Sequence, residues 1–282
     1  MQVKNILITG ATSGIGRETA TAIAKTGNNI IFSARDKNKA QSTLNYLKSI
    51  NNSIRIDYFI ADLSSMQETR NFASDIKKSY SQIDVLINNA GLILGKRKIT
   101  PDNYEYTFAL DHLSPFLITG MLLDLLKNSP SARIITVSSA AHMIGRIHFN
   151  DIMLTKKYSS FKAYSQAKLA NVLFTYELSR RLQGQKITSN ALHPGTVASN
   201  FGNDLTIGYK YMIKLSKPFM IRPEKGAATS VHLALSPEVE GVSGKYFVKK
   251  KSVKSSPLSY DLNIAERLWA LSEELTDFKY AI

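Results

Sequence analysis

Tyr164 and Lys168 stand four residues apart in a stretch with the spacing of a long helix, which puts both side chains on one face. A free phenol titrates near ~10, too high to exchange protons at neutral pH. A neighbouring ammonium favours the phenolate and is expected to lower that value. Taken alone, a Tyr–Lys pair is common surface decoration. Ser139 adds a third group, because it follows a strand-like run, Arg133–Ser138. A hydroxyl at such a strand end holds a carbonyl oxygen beside the phenol, or simply closes a turn. The chemistry on offer is proton transfer at an alcohol or carbonyl oxygen.

A second group of residues suits a dinucleotide. Thr9–Gly16 reads TGATSGIG between a strand-like run and a helical one. Gly10 permits a tight turn, and Gly14 and Gly16 keep side chains away from a pyrophosphate and from the sheet. Amide groups at the helix N-terminus, around Ser13 and Ile15, face the anion. After the second strand stands Arg35, followed by Asp36. A cation there favours a ribose 2′-phosphate and a carboxylate favours free hydroxyls, so NADP(H) is expected over NAD(H).

Regular alternation of elements must position these groups. Strand-like runs at Val3–Thr9, Asn29–Ala34, Ile54–Ile60, Ile83–Asn88, Arg133–Ser138, Ile187–Leu192 and Lys245–Val248 are separated by helical spacings. These include Ile15–Lys25, Lys39–Ile50, Gln67–Tyr80, a long stretch running to Leu126, Ser160–Leu182 and Pro223–Leu235. Short apolar strands alternating with helices predict an α/β fold, a parallel sheet covered on both faces.

Five motifs now stand in order: TGATSGIG, Asn88-Asn89-Ala90-Gly91, Ser138-Ser139, Tyr164–Lys168 as YSQAK, and Pro194-Gly195. In this the chain resembles the short-chain dehydrogenase/reductase family over about Val3 to Val248. The resemblance implies a single Rossmann-like doubly wound domain over residues 1–282 and an NADP-dependent enzyme acting on CH–OH groups. It implies that Ser139 orients the carbonyl, Tyr164 is the general acid/base, and Lys168 tunes Tyr164 and holds the nicotinamide ribose. Asp62 and Leu63 would meet the adenine. Asn89, Ala90 and Gly91 would support the cofactor region. Pro194, Gly195, Val197 and Ser199 would line the nicotinamide. A substrate lid at 199–221 and a C-terminal extension at 250–282 are also expected.

One residue departs from the pattern. Where the family carries an asparagine after the NNAG turn, this chain has Asp111. Two outcomes are open: an ion pair with Lys168, or a slowed proton relay. The second would leave a low-turnover dinucleotide-binding scaffold or redox sensor. The segment AAHMIGRIHFND after Ser139, with HPGTV at His193–Val197, resembles the retinol dehydrogenase branch and the related WW-domain-containing oxidoreductases. That implies a lipophilic carbonyl or alcohol as substrate and a homodimer or homotetramer as the default assembly.

Composition narrows the rest. The 282 residues contain no cysteine, which excludes disulfides and thiolate catalysis. His142, His148 and His193 fit no compact ligand spacing, so no metal is expected. No apolar run reaches the ~20 residues that span a bilayer. The chain opens directly on a strand-like run, so a cytoplasmic protein without a signal segment is expected. The net charge is +14, and between Lys210 and Lys254 ten Lys/Arg face three Glu. That excess is read as a solvated surface without nucleic-acid binding, with peripheral membrane contact left open.

Overall fold

The computed structural model describes residues 3–195 and 222–282. One eight-stranded sheet has the order β3-β2-β1-β4-β5-β6-β7-β8. Its strands are β1 Asn5–Ile8, β2 Asn29–Ala34, β3 Ile56–Ile60, β4 Val85–Asn88, β5 Ala132–Val137, β6 Ile187–His193, β7 Lys245–Val248 and β8 Lys251–Val253. The first seven pair in parallel; β8 returns antiparallel on β7. Strand order reverses between β1 and β4, which opens a crevice at their carboxyl ends.

Side-chain alternation explains the two covered faces. Ile6 and Ile8 pack with Ala20 and Ile23 of α1 (Gly14–Ala24), Leu47 of α2 (Lys37–Ile50) and a C-terminal leucine, Leu233. Leu7, between them, points the other way. It joins Phe72 and Ile76 of α3 (Met66–Ser79), Phe116, and Phe174 and Leu178. A strand that is apolar on both faces has to be covered on both. Helix starts follow local chemistry: Asp36 accepts from Lys39 N at α2, and Ser65 from Glu68 N at α3.

Two regions differ from the sequence expectation. The long helix before Leu126 is broken into α4 Tyr106–Phe108, a π-helical turn at Ala109–Leu113, α5 Ser114–Met121 and α6 Leu123–Lys127. A π turn adds a residue to the coil without changing the apolar pattern, so periodicity hides it. The long α7 (Ser160–Arg181) and α8 (Pro223–Leu235) lie where spacing predicts them. Beyond Val248 the chain forms β8 and α9, Leu262–Thr276, for which the sequence reading had no element. Lys249 and Lys250 turn this hairpin with φ of 49° and 66°, a left-handed turn without the usual glycine that hides it in the sequence.

Helix α9 is part of the core. Trp269 is 3% exposed and meets the rings of Phe116, Phe174 and Tyr280. Among the described residues, no helix is long and apolar enough to cross a membrane. Trp269→Ala is expected to cost about 3–5 kcal/mol of stability, read as a lower denaturation midpoint. An unchanged midpoint would show that α9 is an appendage.

Candidate active site

The site forms at the carboxyl ends of β1, β4, β5 and β6. Helix α7 is fastened to the end of β5 by three bonds. Ser138 Oγ donates to Lys168 O at 2.7 Å, and Lys168 Nζ and Asn171 Nδ2 each donate to Val137 O at 3.3 Å. This sets the Tyr164 turn of α7 beside Ser139. The Lys168 Nζ lies 5.4 Å from the centre of the Tyr164 ring.

Asp111 closes the arrangement from the π turn. Its Oδ2 lies 2.9 Å from Lys168 Nζ, and its Oδ1 accepts from Leu92 N at 2.9 Å. Both side chains are buried, at 0% and 5% exposure. Donors face both oxygens, which suits an ionised carboxylate. Gly91 leaves room for them: a Cβ there would stand 2.9 Å from Asp111 Oδ2 and 3.1 Å from Lys168 Nζ, so the pair would have to shift.

The electrostatics correct one expectation. Burial pushes the Tyr164 phenol up, while the Lys168 ammonium and a hydrogen bond with Ser139 pull it down and Asp111 pushes it up again. The balance lies above the ordinary phenol value, not below it. Burial works against the Lys168 ammonium, but Asp111 and Tyr164 outweigh it and lift the amine. Burial likewise raises Asp111 against the opposing pull of Lys168.

The glycine turn has the build of a pyrophosphate cradle. Gly10 and Gly14 adopt φ of 70° and 54°, open to glycine at little cost. A Cβ on Gly16 would fall 2.2 Å from Gly10 O, and one on Gly10 would press on Ala90 Cα at 3.1 Å. Ser13 makes no side-chain cap, so it leaves the first amides of α1 for another acceptor. Asn89 Nδ2 donates to Thr9 O at 2.8 Å and Gly10 O at 3.1 Å, tying the NNAG turn to the glycine turn. These contacts fit a dinucleotide. Pro194 and Gly195 follow β6, with Gly195 at φ 95°. Val197, Ser199 and the expected lid at 199–221 lie outside the described residues.

At the end of β2, Arg35 is exposed and its Nη1 donates to Tyr106 OH at 2.9 Å. Asp36 is engaged as the α2 cap. Asp62 accepts from Ser64 N and Oγ, with Tyr106 OH 3.5 Å away, and Leu63 is buried next to it. Sequence reasoning missed Tyr106, which sits between the two. It also missed Thr9 Oγ1, which accepts from Asn89 N and Ala90 N at 3.0 Å each. No local pattern marks either, since both partners are more than forty residues distant in sequence.

The sequence model of the short chain dehydrogenase family matches residues 4–209. The chain belongs to the short-chain dehydrogenase family. Within it, the chain falls in the retinol dehydrogenase branch. It is 39% identical to human Retinol dehydrogenase 14 over 97% of this chain and 86% of that one. A crystal structure of a putative uncharacterized protein from Mycobacterium paratuberculosis superposes with a TM-score of 0.81 at 31% identity, covering 99% and 95% of the two chains. A Pseudomonas aeruginosa RhlG/NADP active-site complex superposes at 0.70 with 25% identity, covering 86% and 93%. This short-chain dehydrogenase is therefore an oxidoreductase of alcohol and carbonyl groups, built on a fold that binds a nicotinamide dinucleotide.

Among the described residues, no cluster of three His, Asp or Glu side chains is placed to hold a metal. His112, buried under α9, and His193, at the end of β6, are instead held neutral, with burial pushing each down to about 4. A histidine that titrates at ~6.5 unfolded and lower when folded takes up protons preferentially in the unfolded chain. The stability it contributes is complete above pH ~6.5 and is lost as pH falls towards 4. Denaturation midpoints measured across that window are expected to drop on acidification. A flat profile would contradict the buried neutral imidazoles.

Proposed function

We propose that this enzyme is an NADPH-dependent reductase of lipophilic aldehydes or ketones, with Tyr164 as the proton donor. The observation that supports this most directly is the placement of Tyr164, Lys168 and Ser139 at one strand edge, beside a glycine cradle. Bound there, the nicotinamide would supply the hydride. The protein's own groups do the rest. Ser139 orients the carbonyl oxygen, and Tyr164 hands its phenolic proton to that oxygen as negative charge develops. Lys168 stands by with a positive charge and is placed to hold the nicotinamide ribose.

A phenol raised above its ordinary value suits the reductive direction, because the donor must be protonated. Arg35, with Asp36 occupied at a helix cap, favours a 2′-phosphate over free ribose hydroxyls. The NADP-bound structural relative supports the same preference. Retinol-like chain length is suggested by the name of the human relative. We place the enzyme in the cytoplasm or peripherally at a membrane, as a homo-oligomer.

The Asp111–Lys168 pair favours a second reading, a dinucleotide-binding scaffold with little turnover. The carboxylate occupies Lys168 and cancels part of its effect on Tyr164. The two readings separate on Asp111→Asn: a scaffold binds NADPH tightly and turns over only in the variant.

NADPH oxidation with a medium-chain aldehyde is expected in the wild type, and Tyr164→Phe should lower it by about 10²–10⁴-fold. Inactivity across a broad aldehyde and ketone panel would overturn the assignment. The reduction rate should stay level through neutrality and fall only in the alkaline range, as the phenol ionises. A fall beginning below pH ~7 would show that Tyr164 titrates low instead.

A further inference from the structure

His142 lies three residues beyond Ser139, in the 3-10 turn Ala140–Ile144, and is 1% exposed. Its Nε2 sits 3.1 Å from Ser256 N. A backbone N–H only donates, so Nε2 must carry the lone pair. The ring proton is then on Nδ1, which lies 2.7 Å from Ser139 O and donates to it. The two contacts fix one neutral tautomer. The ring also packs on Tyr246 of β7 at 4.6 Å between centres.

We propose that His142 is a positioning residue that aims Ser139 and ties it to Ser256 in the C-terminal segment. The inference rests on the reading of Ser139 as the carbonyl-orienting hydroxyl.

The turn is pinned at several other points. Ala141 N donates to Ser139 Oγ at 3.2 Å, and His142 N to Ser139 O at 3.1 Å. Ala140 N donates to His193 Nδ1 at 3.3 Å. At the far end, Gly145 lies so close to α7 that a Cβ would fall 2.3 Å from Ser165 O, next to Tyr164. His142 is the pin that reaches the C-terminal segment, through Ser256 N. Burial holds it below the ordinary imidazole range, consistent with a neutral ring. Its contact with Ser256 makes the segment after β8 a support of the site, although that segment contributes no reacting group. The required precision is tight, since displacing a reacting group by about 1 Å costs on the order of a hundredfold in rate.

His142→Phe keeps the ring against Tyr246 and removes both hydrogen bonds. In the full-length protein it should lower kcat for carbonyl reduction by roughly 10–100-fold and leave the affinity for NADPH near wild type. His142→Asn restores a short N–H donor towards Ser139 O and should recover part of the loss. Ser256→Pro removes the distant donor without touching the turn. Ser256 already has φ −59°, which proline adopts, and the variant should lose less than His142→Phe. Histidine ¹⁵N NMR of the wild type should show the Nδ1-protonated neutral form, assigned by its disappearance in the variants. Unchanged kcat in His142→Phe, an Nε2-protonated form, or equal loss of kcat and NADPH affinity in the Phe and Asn variants would each overturn the proposal. A wild type without carbonyl turnover would defeat the reductase reading, and the NMR tautomer would then decide this proposal separately.

Discussion

The buried pair of Lys168 and Asp111 constrains the rest of the site. Two charges withdrawn from water are tolerated only when each is paired and hydrogen-bonded. Here Nζ meets a carboxylate and a strand-end carbonyl, and the carboxylate meets Nζ and the Leu92 amide. Removing one partner of such a pair commonly costs about 3–5 kcal/mol, because the other is left uncompensated. Gly91, the π turn at Ala109–Leu113 and the fastening of α7 to β5 all surround these two groups and hold them together.

Burial above all sets the state of Tyr164, and the pair modulates it. A lone ammonium beside a phenol stabilises the phenolate. Burial nevertheless outweighs that help, and the Asp111 carboxylate adds only a smaller push in the same direction as burial. The protein's own groups therefore keep the phenol protonated. That is the state a proton donor needs.

Support for the site is distributed along the chain. Thr9 and Asn89 lock two turns from different strands, and Tyr106 joins the ends of β2 and β3. Trp269 and Tyr280 close the core over α5 and α7. The C-terminal residues thus brace, from behind, the helix that carries Tyr164.

The sequence by itself determined the layer architecture, because strands apolar on both faces and helices with one apolar stripe admit few arrangements. It also marked Tyr164, Lys168, Ser139 and the glycine turn as candidates, because each belongs to a short motif and the motifs stand in a fixed order along the chain. It left two outcomes for Asp111, and the tertiary structure realises the ion pair. Tyr106, Thr9, His142 and α9 were decided by the fold alone. Each acts through a partner far away in sequence, and a hydrogen bond between distant residues leaves no periodic trace. The rise of the Tyr164 phenol belongs there too, since spacing reveals which charges stand near but not how much water is excluded from them.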